Sequence, residues 1–367
     1  MNLSPDQIQR AREHLDRAIS TRKYPGIQYI ASKPNGVIFQ YFGGLADIRN
    51  HRRMLASTTM MAYSMTKTFT AVAVLQLVEA NEICLDESVS KYFSSIPYGR
   101  SITIRHLLSQ TSGIPNPIPL RWVHSVRQPA TFDERQALEE VLQKNPKLIF
   151  TPGNRYRYSN ISYWILGRIV EYVTEEAFST YIKGHIFQPL HLSKEQADFA
   201  IPDMTHHAKG YLGKYTIMNL VKPLLIDSGL VGDYEDGWLQ IRDHYPNGAS
   251  FGGLIATAQA ISVFLRDQIS ENSVLFNRNT GMLFFSQQKT TRGEPINMTL
   301  GWHIGRLGKT QHFYKEGGGG GFHAEMRIYP VARIATVIMV NETSSRCVKL
   351  QDQVDREFVP EHPIDTN

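Results

Sequence analysis

Two cysteines, Cys84 and Cys347, are all that the 367-residue chain contains. They are too few for a disulfide framework and fit a reducing compartment with two unpaired thiols. No uninterrupted apolar run approaches a membrane span, and no charged segment followed by an apolar one precedes the first helix pattern. The expectation is a cytoplasmic protein, or a periplasmic or secreted one if a signal peptide has been removed. Clustered charge is also scarce. The formal net charge is +5, and the basic residues are scattered except in RNHRRM, residues 49–54. A solvated face explains that cluster better than a nucleic-acid footprint, which needs a basic stripe with interleaved aromatic residues. No nucleic-acid partner is expected. His206, His207, His312 and His323 lack metal-ligand spacing and read as surface or packing residues. Neither a metal nor a cofactor is implied.

With 42% hydrophobic and 20% charged residues, the composition is that of an ordinary soluble globular protein. The length exceeds the usual single core, so two domains or one large one are expected. SPDQIQRAREHLDRAIS opens the chain as an amphipathic helix: Ser4 caps it, Pro5 takes the first helical position and Gln7 closes a capping box. Asn35-Gly36 then favours a tight turn between two strands. Pro- and Gly-punctuated helical segments follow from about Cys84 to Pro189, and residues 201–250 show no strong period. Strand patterns return in MTLGWHIGRL, HFYKEG, GFHAEMRIYP and RIATVIMVNE, and a last helix is predicted from Ser344 to about Phe358. Strands at both ends with helices between them predict an α/β fold, an antiparallel sheet flanked by helices, with an all-helical second domain. The expected division is 1–82 and 250–367 for the α/β domain and 83–249 for the helical one.

Four Ser-x-x-Lys matches occur, at Ser20, Ser64, Ser88 and Ser286, so the spacing alone says little. Only Ser64 opens a long apolar helix, with Phe69, Val72, Ala73, Leu75 and Val78 following. Two readings of Ser64 and Lys67 stand open. Either the lysine is a buried base beside a nucleophilic hydroxyl, or Ser64 caps a core helix and Lys67 reaches back to solvent. Two further polar signals come in order after that pair: Tyr158-Ser159-Asn160 before an apolar helix, and Lys315-Glu316-Gly317 ending a strand pattern.

This ordered set resembles the serine β-lactamase and penicillin-binding-protein superfamily, closest to its class C branch with the related carboxylesterases and D-peptidases. HLLSQTSGIP, PGNRYRYSN, FGGLIATA and LGWHIG add to the resemblance, which covers roughly Ala56 to Asn341. It implies a site in the crevice between the two domains, acting on a small-molecule ester, amide or lactam. Ser64 would be the nucleophile and Lys67 its base. Lys67 and Lys315 would depress the pKa of Tyr158, which would relay the proton. Asn160 would orient Lys67 and the acyl group. The main-chain N–H groups of Ser64 and Gly318 would hold the oxyanion, with Gly317, Glu316 and Gln110 as the remaining substrate-site candidates.

The chain departs from that pattern at Glu316, where relatives usually carry Thr or Ser to bind a substrate carboxylate. Gln110 stands where His is frequent, and looks structural. A serine hydrolase of esterase or amidase type is the leading expectation. The alternatives are a β-lactamase or D-Ala-D-Ala carboxypeptidase, and a catalytically idle scaffold.

Overall fold

The structure, a computed structural model, describes residues 4–93, 96–117, 122–126, 132–214, 228–344 and 346–360. The first helix, α1 (Pro5–Ser20), is capped reciprocally: Ser4 Oγ accepts from Gln7 N at 3.2 Å and Gln7 Oε1 accepts from Ser4 N at 2.9 Å. Its Ala11, Leu15 and Ala18 are buried. Seven antiparallel strands form the main sheet: β1 (Gly26–Lys33), β2 (Gly36–Asp47), β3 (Arg52–Arg53), β4 (His303–Leu307), β5 (Thr310–Gly319), β6 (Phe322–Tyr329) and β7 (Ile334–Val340). Their order is β4-β5-β6-β7-β1-β2-β3, so the two ends of the chain meet where β7 pairs β1 in the register Val340 to Ile27.

The period-two alternation of the strands sets what lies on each face. Val337 and Met339 of β7 join the large core with Met326 of β6, while Ile338 and Val340 join a smaller cluster with α1 and α5 (Arg346–Asp355). The large core contains α2 (Thr66–Glu79), α3 (Asn160–Thr174) and α4 (Ala258–Gln268). Of these, α2 is apolar nearly all round and buried along most of its length, as expected for a central helix. Among the described residues no helix is long and apolar enough to cross a membrane.

The absence of a strong period in residues 201–250 does not mean an absence of strands. Gly210–Gly213, Val231–Glu235 and Trp238–Ile241 form a small antiparallel sheet, and His244–Pro246 pairs with Val123–Ser125. Runs of three to five residues are too short for alternation to stand out.

Close approach between β5 and the turn before α2 positions everything that follows. A Cβ at Gly317 would lie 2.1 Å from Ala62 O and 3.0 Å from Ser64 N, so only glycine lets the strand press on the turn. Gly317→Ala should therefore cost about 1–3 kcal/mol, the range for forced overpacking. Gly184→Ala, whose methyl meets nothing within 4 Å, should not destabilise. Chemical denaturation of both variants checks this, and equal losses would mean that strand and turn are not held in contact.

Candidate active site

Ser64 lies in a short 3-10 turn, Tyr63–Met65, that runs into α2. The turn is held in an uncommon backbone state, with Tyr63 at φ 43°. Thr66 Oγ1 donates to Tyr63 O at 2.6 Å and accepts from Leu254 N at 3.0 Å, which ties the turn to the chain before α4. One helical turn later, Lys67 brings Nζ to 2.9 Å from Ser64 Oγ and donates to Phe251 O at 2.6 Å. Lys67 is fully buried, so the reading in which it reaches solvent is excluded. Nor does Ser64 cap the helix; Met65 precedes α2 without a side-chain cap.

Tyr158 reaches the same oxygen from the loop that leads into α3. Its Oη donates to Ser64 Oγ at 2.7 Å. The main chain around it is clamped by Gln110, itself at φ 59°: Ser159 N donates to Gln110 Oε1 at 2.6 Å, and Gln110 Nε2 donates to Ser159 O at 3.2 Å. Gln110 is fully buried and does not line the cleft, so it holds the Tyr158 loop rather than touching substrate space.

Lys315, on β5, completes the group. It is fully buried, and its Nζ has no hydrogen-bond partner. The amine lies 5.5 Å from the Tyr158 ring centre and 5.6 Å from that of Tyr163, while Lys67 Nζ lies 5.0 Å from the Tyr158 centre. Neither lysine forms a salt bridge among the described residues. Burial lowers the Lys67 amine well below the usual lysine range, helped by repulsion from Lys315, and burial alone brings Lys315 down to about 7. Both amines therefore give up their protons more readily than an ordinary lysine.

Two expectations from the sequence need correction. Tyr158 is not depressed toward phenolate; burial pushes its hydroxyl up, outweighing the bond to Ser64. Desolvation wins because the lysines beside it are themselves discharged. Asn160 does not orient Lys67: its Oδ1 is buried without a partner, and the Phe251 carbonyl holds the amine instead.

The cleft above Ser64 encloses about 600 Å³ and is lined by Ser64, Tyr158, Asn160, Glu316 and Gly318 among others. Gly317 lies behind it, against the turn. Glu316 faces the cleft and also has a partner, with His323 Nε2 2.7 Å from its Oε1. His323 therefore lines the site rather than filling a packing role, while His207 is buried against Thr59 Oγ1 at 3.0 Å and His206 pairs with Asp203 on the surface.

Sequence reasoning missed His303 and Tyr156. The His303 ring stacks between those of Tyr158 and Tyr314, with centroids 6.4 and 5.0 Å away, and its Nε2 is 3.1 Å from Tyr156 Oη. Burial, then the nearby lysines, keep that imidazole well below its usual range. A polar residue inside LGWHIG was the available signal. The far wall is apolar, from Trp122, Leu212, Leu230, Ile241 and Phe251. Among the aromatic and apolar residues of 201–250, Tyr211 is buried against Glu235, Trp238 lies in the small sheet away from the cleft lining, and Tyr215, Leu220, Leu224 and Leu225 lie outside the described residues.

The chain is 29% identical over 218 residues to the Staphylococcus aureus (strain N315) protein flp, a match covering 57% of this chain and 42% of that protein. The chain thus spans less than half the length of that relative. The solved D-amino acid amidase from Ochrobactrum anthropi SV3, complexed with D-phenylalanine, superposes with a TM-score of 0.81 at 20% identity over 96% of this chain and 99% of that one. An octameric penicillin-binding protein homologue from Pyrococcus abyssi gives 0.75 at 20% identity, over 96% and 79%. These structural likenesses are of fold. The antiparallel sheet flanked by helices and the match of residues 9–359 to the model of the Beta-lactamase family agree, and the chain belongs to that family.

Proposed function

We propose that the protein is a serine hydrolase that cleaves an ester or amide through an acyl-enzyme on Ser64. The observation that carries this reading is the convergence on one hydroxyl: Lys67 Nζ at 2.9 Å and Tyr158 Oη at 2.7 Å from Ser64 Oγ. A serine hydroxyl is a weak nucleophile until a positioned base takes its proton. A lysine amine whose pKa burial lowers well below the usual lysine range is suited to do so, because its lone pair is more readily available than that of an exposed lysine.

In acylation, Oγ bonds to the substrate carbonyl carbon while its proton passes to Lys67. The carbonyl oxygen takes up negative charge against the main-chain N–H groups of Ser64 and Gly318. As the bond to the leaving group breaks, Tyr158 gives that group a proton and recovers one from a lysine. In deacylation, water adds to the acyl carbon, its proton follows the same route, and Oγ leaves with a proton returned. Lys315 packs its buried amine against the Tyr158 ring, and the unpartnered Oδ1 of Asn160 is free to accept from an acyl amide.

The amidase likeness is compatible with an amide substrate, and the family as a whole keeps a lactam in view. Glu316 weighs against the β-lactamase or D-Ala-D-Ala carboxypeptidase alternative, since a carboxylate at that point opposes a substrate carboxylate. The intact group of Ser64, Lys67, Tyr158 and Lys315 weighs against an idle scaffold.

A fluorophosphonate should label Ser64, as shown by peptide mapping, and Ser64→Ala should take no label; a label mapped elsewhere would overturn the reading. Lys67→Met and Tyr158→Phe should each lower kcat by about a hundredfold or more with folding retained by circular dichroism. The double variant should lose less than the product of the single losses, because both serve one proton path. Fully multiplicative losses would mean that they act separately.

A further inference from the structure

We infer that the cleft selects substrates by charge through Glu316, favouring apolar esters or amides that carry an ammonium group over those that carry a carboxylate. This rests on the hydrolase reading above. Pairing between β4 and β5 ends at His303 and Tyr314, so residues 315–319 run on beside the cleft without β4 alongside. Side chains alternate across that stretch. Lys315 turns inward beneath Tyr158 and is fully buried, whereas Glu316 stays at the rim with 40% of its side chain exposed. Among the described residues that line the cleft, Glu316 is the only carboxylate, and no lysine or arginine is present.

The charge on Glu316 follows from how His323 is held. Nε2 of His323 is 2.7 Å from Glu316 Oε1, and its Nδ1 is buried without a hydrogen-bond partner. The ring lies across Gly318, where any Cβ would come within 2.6 Å of Nδ1. A neutral imidazole that donates Nε2–H to the carboxylate leaves Nδ1 as a bare acceptor. A cationic ring would bury an unsatisfied N–H donor, which costs more. His323 therefore serves as a neutral donor, and Glu316 keeps its charge. Arg327, on the neighbouring strand, does not cancel it: that guanidinium is bound by Glu325, Asp352 and Asp355.

An anionic rim on a cleft otherwise lined largely by apolar and aromatic side chains fits an amphipathic cation. The amines of Lys67 and Lys315 do not line the cleft, and burial makes both less readily charged than ordinary lysines, which weakens their opposition to a cation. A rim charge in contact with water acts modestly, and salt screens it, so a selectivity of about tenfold is expected.

The test compares two sets of esters by kcat/KM. In one set the acyl chain ends in trimethylammonium, methyl or carboxylate, with p-nitrophenol as leaving group. In the other the same three groups end the alcohol part, and turnover is followed by pH-stat. Wild type should prefer the ammonium ester over the carboxylate ester by about tenfold in at least one set. Glu316→Gln keeps an acceptor for His323 but removes the charge, and should bring that ratio close to one; added salt should shrink it in wild type. A ratio that neither the substitution nor salt changes in either set overturns the inference while leaving the hydrolase reading intact. No turnover of the methyl-ended esters in either set overturns that reading, and this inference with it.

Discussion

Two lysine amines buried beneath one serine, with no carboxylate among the described residues to pair them, set the terms for the rest of the site. Among the described residues, Lys67 has only a main-chain carbonyl and Ser64 as polar partners, and Lys315 Nζ has aromatic faces alone. Taking an ammonium out of water without a counter-ion is so costly that the group loses its proton instead. The sign of the effect on stability follows. An unfolded lysine holds its proton up to its ordinary value of 10.5, whereas folded Lys315 releases it near 7. Over that window the unfolded chain binds more protons, so this group makes folding more favourable as pH rises and least favourable on the acid side.

That cost is sustained by a surrounding structure that holds the amines in place. α2 is buried along most of its length, and Gly317 seats β5 against the turn that carries Ser64. Behind the sheet, Asp355 Oδ2 accepts from Tyr329 Oη at 2.5 Å and Thr336 Oγ1 at 3.0 Å, and its Oδ1 accepts from Tyr29 Oη at 2.7 Å. This fully engaged polar network ties β1, β6 and β7 to α5. Gln110 does the corresponding work for Tyr158. Rigid elements on three sides thus meet at one hydroxyl, which is what positioned proton transfer requires.

Much of this was legible in the sequence because it is written in local chemistry. The capping box of α1, the tight turn between β1 and β2 (at Pro34-Asn35, one residue before the expected Asn35-Gly36) and the alternating strands each follow from a few adjacent residues. So does the order of Ser64-x-x-Lys67, Tyr158-x-Asn160 and Lys315-x-Gly317. What escaped depends on groups distant in sequence. Nothing near Lys67 announces that the Phe251 carbonyl will hold its amine, nor near Asn160 that its Oδ1 will stay free. His303 and His323 became site residues only through strand register, His303 opposite Tyr314 and His323 opposite Gly318. The Tyr158 expectation went astray for a different reason. It counted two cations near a phenol, but burial removes those charges before they can act.

The most direct test of this account is the pH dependence of Ser64 phosphonylation by an uncharged fluorophosphonate, in wild type and Lys315→Met. With the Lys67 amine lowered by burial, the wild-type rate should rise on an acid limb well below the ordinary lysine range and then level off. Removing the Lys315 charge relieves the repulsion on Lys67, so the limb should move to higher pH in the variant. A wild-type rate that climbs only near pH 10, as for an ordinary lysine, would contradict the account.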